Sequence, residues 1–155
     1  MKPALITLVA SLGLLAATAA NAQFRKPEDA VEYRQSAMFM MGQHFGRVGA
    51  MAAGRAPFDA KAAADNAAVV LMLSKLPFAG FGPDTDMSSR PSAAKAEIWK
   101  EADKFKKASE DMQAAAVKLD AAAKGGNFDE IKAAFGATAK TCKACHDSYK
   151  DDKKK

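Results

Sequence analysis

Cysteine and histidine are scarce in this chain, and most of them stand close together. The 155 residues include two cysteines and two histidines, and Cys142, Cys145 and His146 share one short segment. A structural zinc site needs about four ligands, whereas the remaining His44 lies far upstream. A disulfide between the two cysteines would close too small a loop to stabilise much, and a thioredoxin-like pair needs a βαβ context that the sequence lacks. These absences exclude the common structural and redox uses of a cysteine pair.

What is present is the pattern Cys-x-x-Cys-His at residues 142–146, the attachment pattern of a c-type haem. Thiols three residues apart lie one turn apart on the same face of a helix. There they can both add to the two vinyl groups along one edge of a porphyrin. The adjacent imidazole is then placed to reach the iron as an axial ligand. We therefore expect one covalent haem c, attached through Cys142 and Cys145, with His146 as the iron ligand.

The first 22 residues resemble an export signal rather than a folded element. Lys2 gives a positive start, residues 5–15 are almost entirely apolar, and Ala-Asn-Ala at 20–22 is a small-x-small cleavage site. No later stretch approaches the length of a membrane span. The sequence thus predicts a cleaved signal peptide over 1–22 and one domain over 23–155, without a membrane span. Because covalent haem attachment in bacteria takes place outside the cytoplasmic membrane, the predicted location is the periplasm.

Positive charge exceeds negative charge only modestly. The formal net charge of +5 falls to +4 once Lys2 is removed with the signal. Basic and acidic residues are interleaved, as over 104–111, and no basic stripe with interleaved aromatic residues is present. The pattern argues against a nucleic-acid partner and favours a solvated surface with a slight attraction for acidic redox partners.

The mature chain contains no convincing strand, and its apolar residues recur at helical spacing. Helices are predicted over about 27–51, 59–76, 92–124 and 127–149, with proline, aspartate or asparagine near several of their starts. The connection over 77–92 is long enough to be functional or mobile. Four helices joined mostly by short connections predict a four-helix bundle.

Two patterns place the haem within that bundle. The third predicted helix repeats apolar residues every seven positions, as in left-handed antiparallel bundles. The fourth has Cys142 and Cys145 on its own apolar stripe, and Phe78 and Phe81 of the long connection are apolar enough to turn inward. The predicted fold is therefore all-α, an antiparallel up-down-up-down four-helix bundle with covalently bound haem near the end of the last helix.

Several short segments resemble the cytochrome c′ family, the class II c-type cytochromes, whose architecture is itself a known example of the four-helix bundle. They cover essentially the whole mature chain: residues 23–24, 26–31, 33–37, 44–47, 81–83, 97–99, 133–136 and 142–147. Ordinary cytochromes c have the haem motif near the N-terminus instead. The resemblance implies that His146 is the only protein ligand of a five-coordinate, high-spin iron. It also implies electron transfer, reversible binding of nitric oxide and carbon monoxide, and a homodimer with the first helix in the interface.

The same resemblance assigns contacts at the edge of the haem. It places Arg34 and Gln35 against the haem propionates, where a guanidinium pairs favourably with a carboxylate. From the residues alone, a solvated helix face is the alternative for both side chains.

On the proximal side, Lys150 follows His146 by one helical turn, where close relatives often have arginine. Lysine keeps the charge but lacks the planar five-donor fork, which puts a guanidinium-dependent role in doubt. The connection also looks several residues longer than in close relatives, at residues 92–96. Glu97, which follows it, is predicted as a further haem contact.

Met38 leaves two functions open. The resemblance places it over the open face of the iron, where a thioether is either a soft plug that fills the pocket or a second axial ligand. The first gives a gas-binding protein and the second a low-spin, six-coordinate electron carrier. Met40 and Met41 point elsewhere by helical phase, and His44 is disfavoured as a second ligand.

An enzymatic role, such as peroxidase or nitric oxide reductase, would need an acid–base pair near the iron. Met38, Phe78 and Phe81 cannot move protons, so the sequence predicts that the protein is not an enzyme.

Overall fold

A computed structural model describes residues 23–86 and 88–151. The predicted signal peptide over 1–22 lies outside the described residues, as do Met87 and residues 152–155. Within the described ranges the protein has no β-strand, and one isolated antiparallel bridge joins Ala94 and Lys150.

Four long helices form the bundle, and the predicted all-α fold is confirmed. A 3-10 helix follows the second of them, and one short helix precedes the third. The elements are α1 Pro27–Ala52, α2 Ala60–Leu73, the 3-10 helix Leu76–Phe81, α3 Glu97–Lys100, α4 Ala102–Gly125 and α5 Phe128–Tyr149. Helix α1 packs mainly against α2, and α4 against α5 and α2.

Two predicted N-caps form as the sequence indicates. The Asp59 carboxylate accepts a hydrogen bond of 2.9 Å from the backbone N–H of Ala62 at the start of α2. The Asn127 side chain accepts from the N–H groups of Asp129 and Glu130 at the start of α5. Each such cap stabilises a helix by about 1 kcal/mol.

Two predicted helix boundaries are wrong. The second helix ends at Leu73, because the Ser74 hydroxyl donates to the Leu71 carbonyl and the chain tightens into a 3-10 helix around Pro77. The third helix does not begin near Ser92. The backbone leaves helical geometry at Glu101 (φ −119°, ψ 44°), so α3 and α4 are separate.

The core is densely filled at one end of the bundle. Leu119 of α4, Ile131 of α5 and Val48 of α1 are fully buried there, together with Ala63 and Ala67 of α2. Alanines let α2 approach its neighbours closely. At the other end, where α1 begins and α5 ends, the interior is open, and that end holds the candidate site.

The expectation that no later stretch approaches the length of a membrane span is wrong, because Ala60–Phe81 has the length and a mean hydropathy of 1.2 that such a span would need. It is not one straight α-helix, since α2 ends at Leu73 and the rest is 3-10. It packs against α1 and α4, so we interpret it as a bundle helix. Several of its apolar side chains are nevertheless exposed, among them Met72 at 65%.

Candidate haem-attachment site

Helix α5 places the haem motif at the open end of the bundle. Cys142 and Cys145 are half-buried free thiols one turn apart, and His146 follows in the last turn of the helix. Two cavities of about 280 Å³ and 200 Å³ adjoin the motif. Both are lined by Met38, Cys145 and His146, so together they outline one divided cleft. Their joint volume lies in the range of small-molecule pockets, roughly 300–1,000 Å³.

The two thiols lie in apolar surroundings. Burial raises the pKa of Cys142, and burial together with the neighbouring Cys142 raises the pKa of Cys145. A raised pKa disfavours the thiolate that zinc binding or thiol exchange requires. Among the residues that the structure describes, no group of three or more His, Cys, Asp or Glu side chains could hold a metal ion.

The inner of the two cavities, of about 200 Å³, is lined by residues from five elements, most of them apolar. Besides the motif, its lining consists of Met38, Met41, Gly42, Phe45, Val70, Phe78, Met112 and Thr138. Helical phase predicts that Met41 points away from the haem, and no haem contact is predicted for Met112, yet both line this cavity. They do pack in one buried cluster with Val70, and the same faces of α1 and α4 also line the cavity.

Aromatic rings surround the outer cavity, of about 280 Å³. Phe81, Phe105 and Tyr149 line it, and Phe105 packs edge-on against both other rings, with ring centroids 4.9 Å and 5.2 Å away. The expectation that Phe78 and Phe81 turn inward is met, because both pack against Phe105. The contribution of Phe105 to the site was not predicted, although Phe105 is one of the apolar residues that recur every seven positions between Ile98 and Leu119.

Arg34 forms the polar edge of the outer cavity. It is only 3% exposed, and its guanidinium donates to the Gly80 carbonyl (2.7 Å) and to the Ser92 hydroxyl (2.9 Å). The guanidinium carbon also lies 4.3 Å from the centre of the Phe81 ring. No carboxylate of the described residues forms an ion pair with it. Burial lowers its pKa to about 10, so the group remains a cation at neutral pH, and the solvated-face alternative for Arg34 is wrong.

The structure brings most of the other predicted residues to the same cavity. Gln35 is exposed but lines it, as does Lys150. Glu97 is exposed at the start of α3 and lines neither cavity. His44 also lies away from both, with its Nδ1 2.9 Å from the Asn66 side-chain oxygen.

These residues fit a covalently bound haem. Two thiols and an imidazole stand on one side of an apolar cleft, and a buried guanidinium without a carboxylate partner stands at its edge. Buried charges are normally paired, and the carboxylates of a haem would supply the missing partner. The bundle and the motif together define the class of protein: a c-type haem protein built on a four-helix bundle.

Comparison with known proteins gives the family. The family model described as Cytochrome C' matches residues 29–150. The chain therefore belongs to the cytochrome c′ family, whose members contain covalently bound haem c. The predicted resemblance is confirmed.

Individual relatives agree along most of the chain. A cytochrome c′ of Rubrivivax gelatinosus is 55% identical over 83% of this chain and 99% of its own length. Its crystal structure superposes with a TM-score of 0.81, covering 83% of this chain and 100% of that one. A variant of cytochrome c prime from Alcaligenes xylosoxidans, solved as its nitric oxide complex, is 47% identical, with a TM-score of 0.76 over 83% and 98% of the two chains.

Proposed function

We propose that this protein is a periplasmic electron-transfer haem protein that reversibly binds nitric oxide and carbon monoxide at an iron with one protein ligand. The observation that supports this most directly is the lining of the divided cleft. Its described residues include a single imidazole, His146, and otherwise mainly apolar side chains. Such a lining leaves room for a small uncharged ligand on the face of the iron opposite the imidazole.

Each side chain has a distinct part in holding the group. Cys142 and Cys145 would anchor it covalently, and His146 would bind the iron. Arg34 would pair with a haem carboxylate, with Gln35 beside it. When bound, the haem supplies a one-electron redox couple and an iron position open to diatomic ligands. The protein supplies the apolar surroundings, which favour uncharged ligands over ions.

Two further parts of the proposal have separate support. The solved nitric oxide complex of the Alcaligenes relative favours gas binding here as well. The predicted signal peptide over 1–22 and the covalent haem favour the periplasm. Neither cavity has a carboxylate among its described lining residues, which supports a carrier and ligand-binding role rather than proton-dependent catalysis.

Met38 decides between the two modes of iron ligation. It lines both cavities beside His146, so the plug and the ligand remain the two candidate roles, and we propose the plug. The purified protein should then give high-spin spectra in both oxidation states and a carbon monoxide adduct when reduced. Met38→Ala should stay high-spin and bind carbon monoxide faster, because the plug is gone. Optical spectra and flash photolysis measure both effects.

Met40→Ala is the matched control, because Met40 is on the same helix but 47% exposed. It should behave like the unmodified protein in both measurements. A low-spin spectrum that Met38→Ala converts to high-spin would establish the electron carrier with two axial ligands and reject the plug.

A homodimer formed through α1 is supported by exposed apolar side chains on α1 and α2. Phe39 is 64% exposed and Met40 47%, while Met72 near the end of α2 and Leu76 at the start of the 3-10 helix are 65% and 38% exposed. Isolated exposed apolar residues are ordinary on a protein surface, but contiguous ones mark an interaction site. A second copy of the chain packed against these side chains would bury them.

Phe39→Glu is expected to convert the dimer into a monomer. A glutamate at the centre of an apolar interface would be buried without a partner, which costs about 3 kcal/mol or roughly a hundredfold in the dimer Kd. Sedimentation velocity at several concentrations measures the change. Val117→Glu, at a 53% exposed apolar position of α4, should leave the dimer intact. Dissociation by Val117→Glu alone would place the interface on α4 instead.

A further inference from the structure

The last turn of α5 contains His146 and receives hydrogen bonds from outside the helix. The last four carbonyls of any α-helix lack partners within the helix. Here the Lys150 N–H donates to the His146 carbonyl at 2.9 Å. The Tyr149 carbonyl accepts the backbone N–H of Lys95 at 3.0 Å, and the Asp147 carbonyl accepts Nζ of the same lysine at 2.9 Å. One residue, distant in sequence, thus satisfies two carbonyls of this turn.

Lys95 belongs to the segment of residues 88–96 that precedes α3, which we name the strap. Near α5 the strap pairs with the chain just beyond the helix. Asp151 donates its N–H to the Ala93 carbonyl at 2.8 Å, and Ala94 forms the isolated bridge with Lys150. The end of α5 is therefore held by backbone pairing as well as by a side chain.

The opposite end of the strap is fixed to α1. The Glu28 carboxylate accepts the N–H and the hydroxyl of Ser89 at 3.1 Å and 2.9 Å. Gln35 donates to the Pro91 carbonyl at 2.9 Å, and Arg34 donates to Ser92 as described above. The strap thus ties the first helix of the bundle to the last.

The same part of the strap that contacts α1 and the end of α5 also forms part of the wall of the outer cavity. Ser92, Ala93 and Ala94 line this cavity together with His146. Helix ends fray unless they are held, and here the turn that contains His146 is the end of the helix. A cation close to a helix C-terminus also interacts favourably with the helix dipole.

We propose that Lys95 is a positioning residue for His146: it caps the C-terminus of α5 from the strap and so holds the imidazole in place relative to the iron. This inference rests on the proposed function, in which His146 is the iron ligand. The strap that carries Lys95 is itself held to α1 through Glu28, Gln35 and Arg34. It also links the position of α1 to that of the iron ligand.

The test compares Lys95→Met with Lys143→Met in the haem-loaded protein. Both changes remove one positive charge near Asp147, but Lys143 bonds only the exposed carboxylate of that residue, not its carbonyl. Native-state hydrogen exchange at the Lys150 amide should accelerate by up to about tenfold in Lys95→Met. The variant loses the hydrogen bond from Nζ to the Asp147 carbonyl, and the net contribution of one such bond to stability corresponds to a factor of about that size. The iron–imidazole stretching band in the resonance Raman spectrum of the reduced protein should shift or broaden. Lys143→Met should change neither, and Lys95→Arg, which retains a donor for the carbonyl, should restore both.

The outcomes separate the two proposals. If the unmodified protein shows no iron–imidazole band, the proposed function, with His146 as the only protein ligand of the iron, is wrong, and the positioning role that rests on it is rejected with it. If the band is present and Lys95→Met leaves it unchanged, the positioning role alone is wrong. Lys95→Gln, which keeps a polar side chain too short to reach the carbonyl, gives the same comparison if Lys95→Met does not accumulate.

Discussion

Replacement of both Cys142 and Cys145 by alanine is expected to abolish covalent haem attachment completely. The two cysteines are the only ones in the chain, and each thioether uses one thiol. After denaturation and acidified-acetone extraction, all haem should leave the double variant, and mass spectrometry should give the mass of the polypeptide alone. The unmodified protein should retain one haem through the same treatment.

Single variants and a histidine variant provide the controls. Cys142→Ala or Cys145→Ala alone should keep one thioether and therefore retain haem in whichever molecules complete attachment. His146→Ala should retain both thioethers in the molecules that mature, but lose the iron–imidazole band, which separates anchoring from ligation. Covalent haem in the double variant would contradict attachment through this motif.

The sequence predicted the parts of the fold that depend on local signals. The bounds of α1 and α5 follow from a proline at one start, an asparagine cap at the other, and continuous helical periodicity. The haem motif is local in the same sense, because three side chains within one turn of a helix share its face. These features do not depend on how distant segments meet.

The errors concern interactions between segments far apart in the chain. Ser92 has the side chain of an N-cap, but its hydroxyl accepts from Arg34 and from the N–H of Ala94, so the helix starts later. Nothing near Lys95 in sequence indicates that it would cap α5. Glu97 was assigned by resemblance alone, and in the structure it is exposed at the start of α3 and lines neither cavity.

Arg34 illustrates both what could be predicted from the sequence and what could not. The resemblance indicated its place at the edge of the site, and the cavity lining agrees. The contacts that hold the Arg34 guanidinium could not be predicted, because the Gly80 carbonyl and the Phe81 ring belong to the 3-10 helix, far away in sequence. That helix begins shortly after α2 ends, at a boundary that the sequence did not predict.

Gly80→Ala is expected to destabilise the protein strongly, because the 3-10 helix lies close against α1 at Gly80. A Cβ at position 80 would lie 2.5 Å from the Ala30 carbonyl oxygen and 2.8 Å from the Arg34 Cβ. The first is a backbone atom inside α1 and cannot move aside cheaply. The 3-10 helix would have to shift away from α1, weakening the bond between Arg34 and the Gly80 carbonyl. Overpacking of this kind costs about 2–3 kcal/mol, which should lower the Tm by roughly 10 °C.

Gly136→Ala is the matched control, because it makes the same change within α5, where a Cβ meets nothing within 4 Å. It should stabilise the protein by about 0.5–1 kcal/mol, since alanine loses less backbone entropy in a helix than glycine. Thermal unfolding of the haem-loaded proteins, followed by far-UV circular dichroism, measures both changes. Because the shifted 3-10 helix adjoins the outer cavity, Gly80→Ala should also perturb the haem absorption, whereas Gly136→Ala should not. Equal stability of the two variants would show that the 3-10 helix yields easily and that the close contact with α1 does not support Arg34.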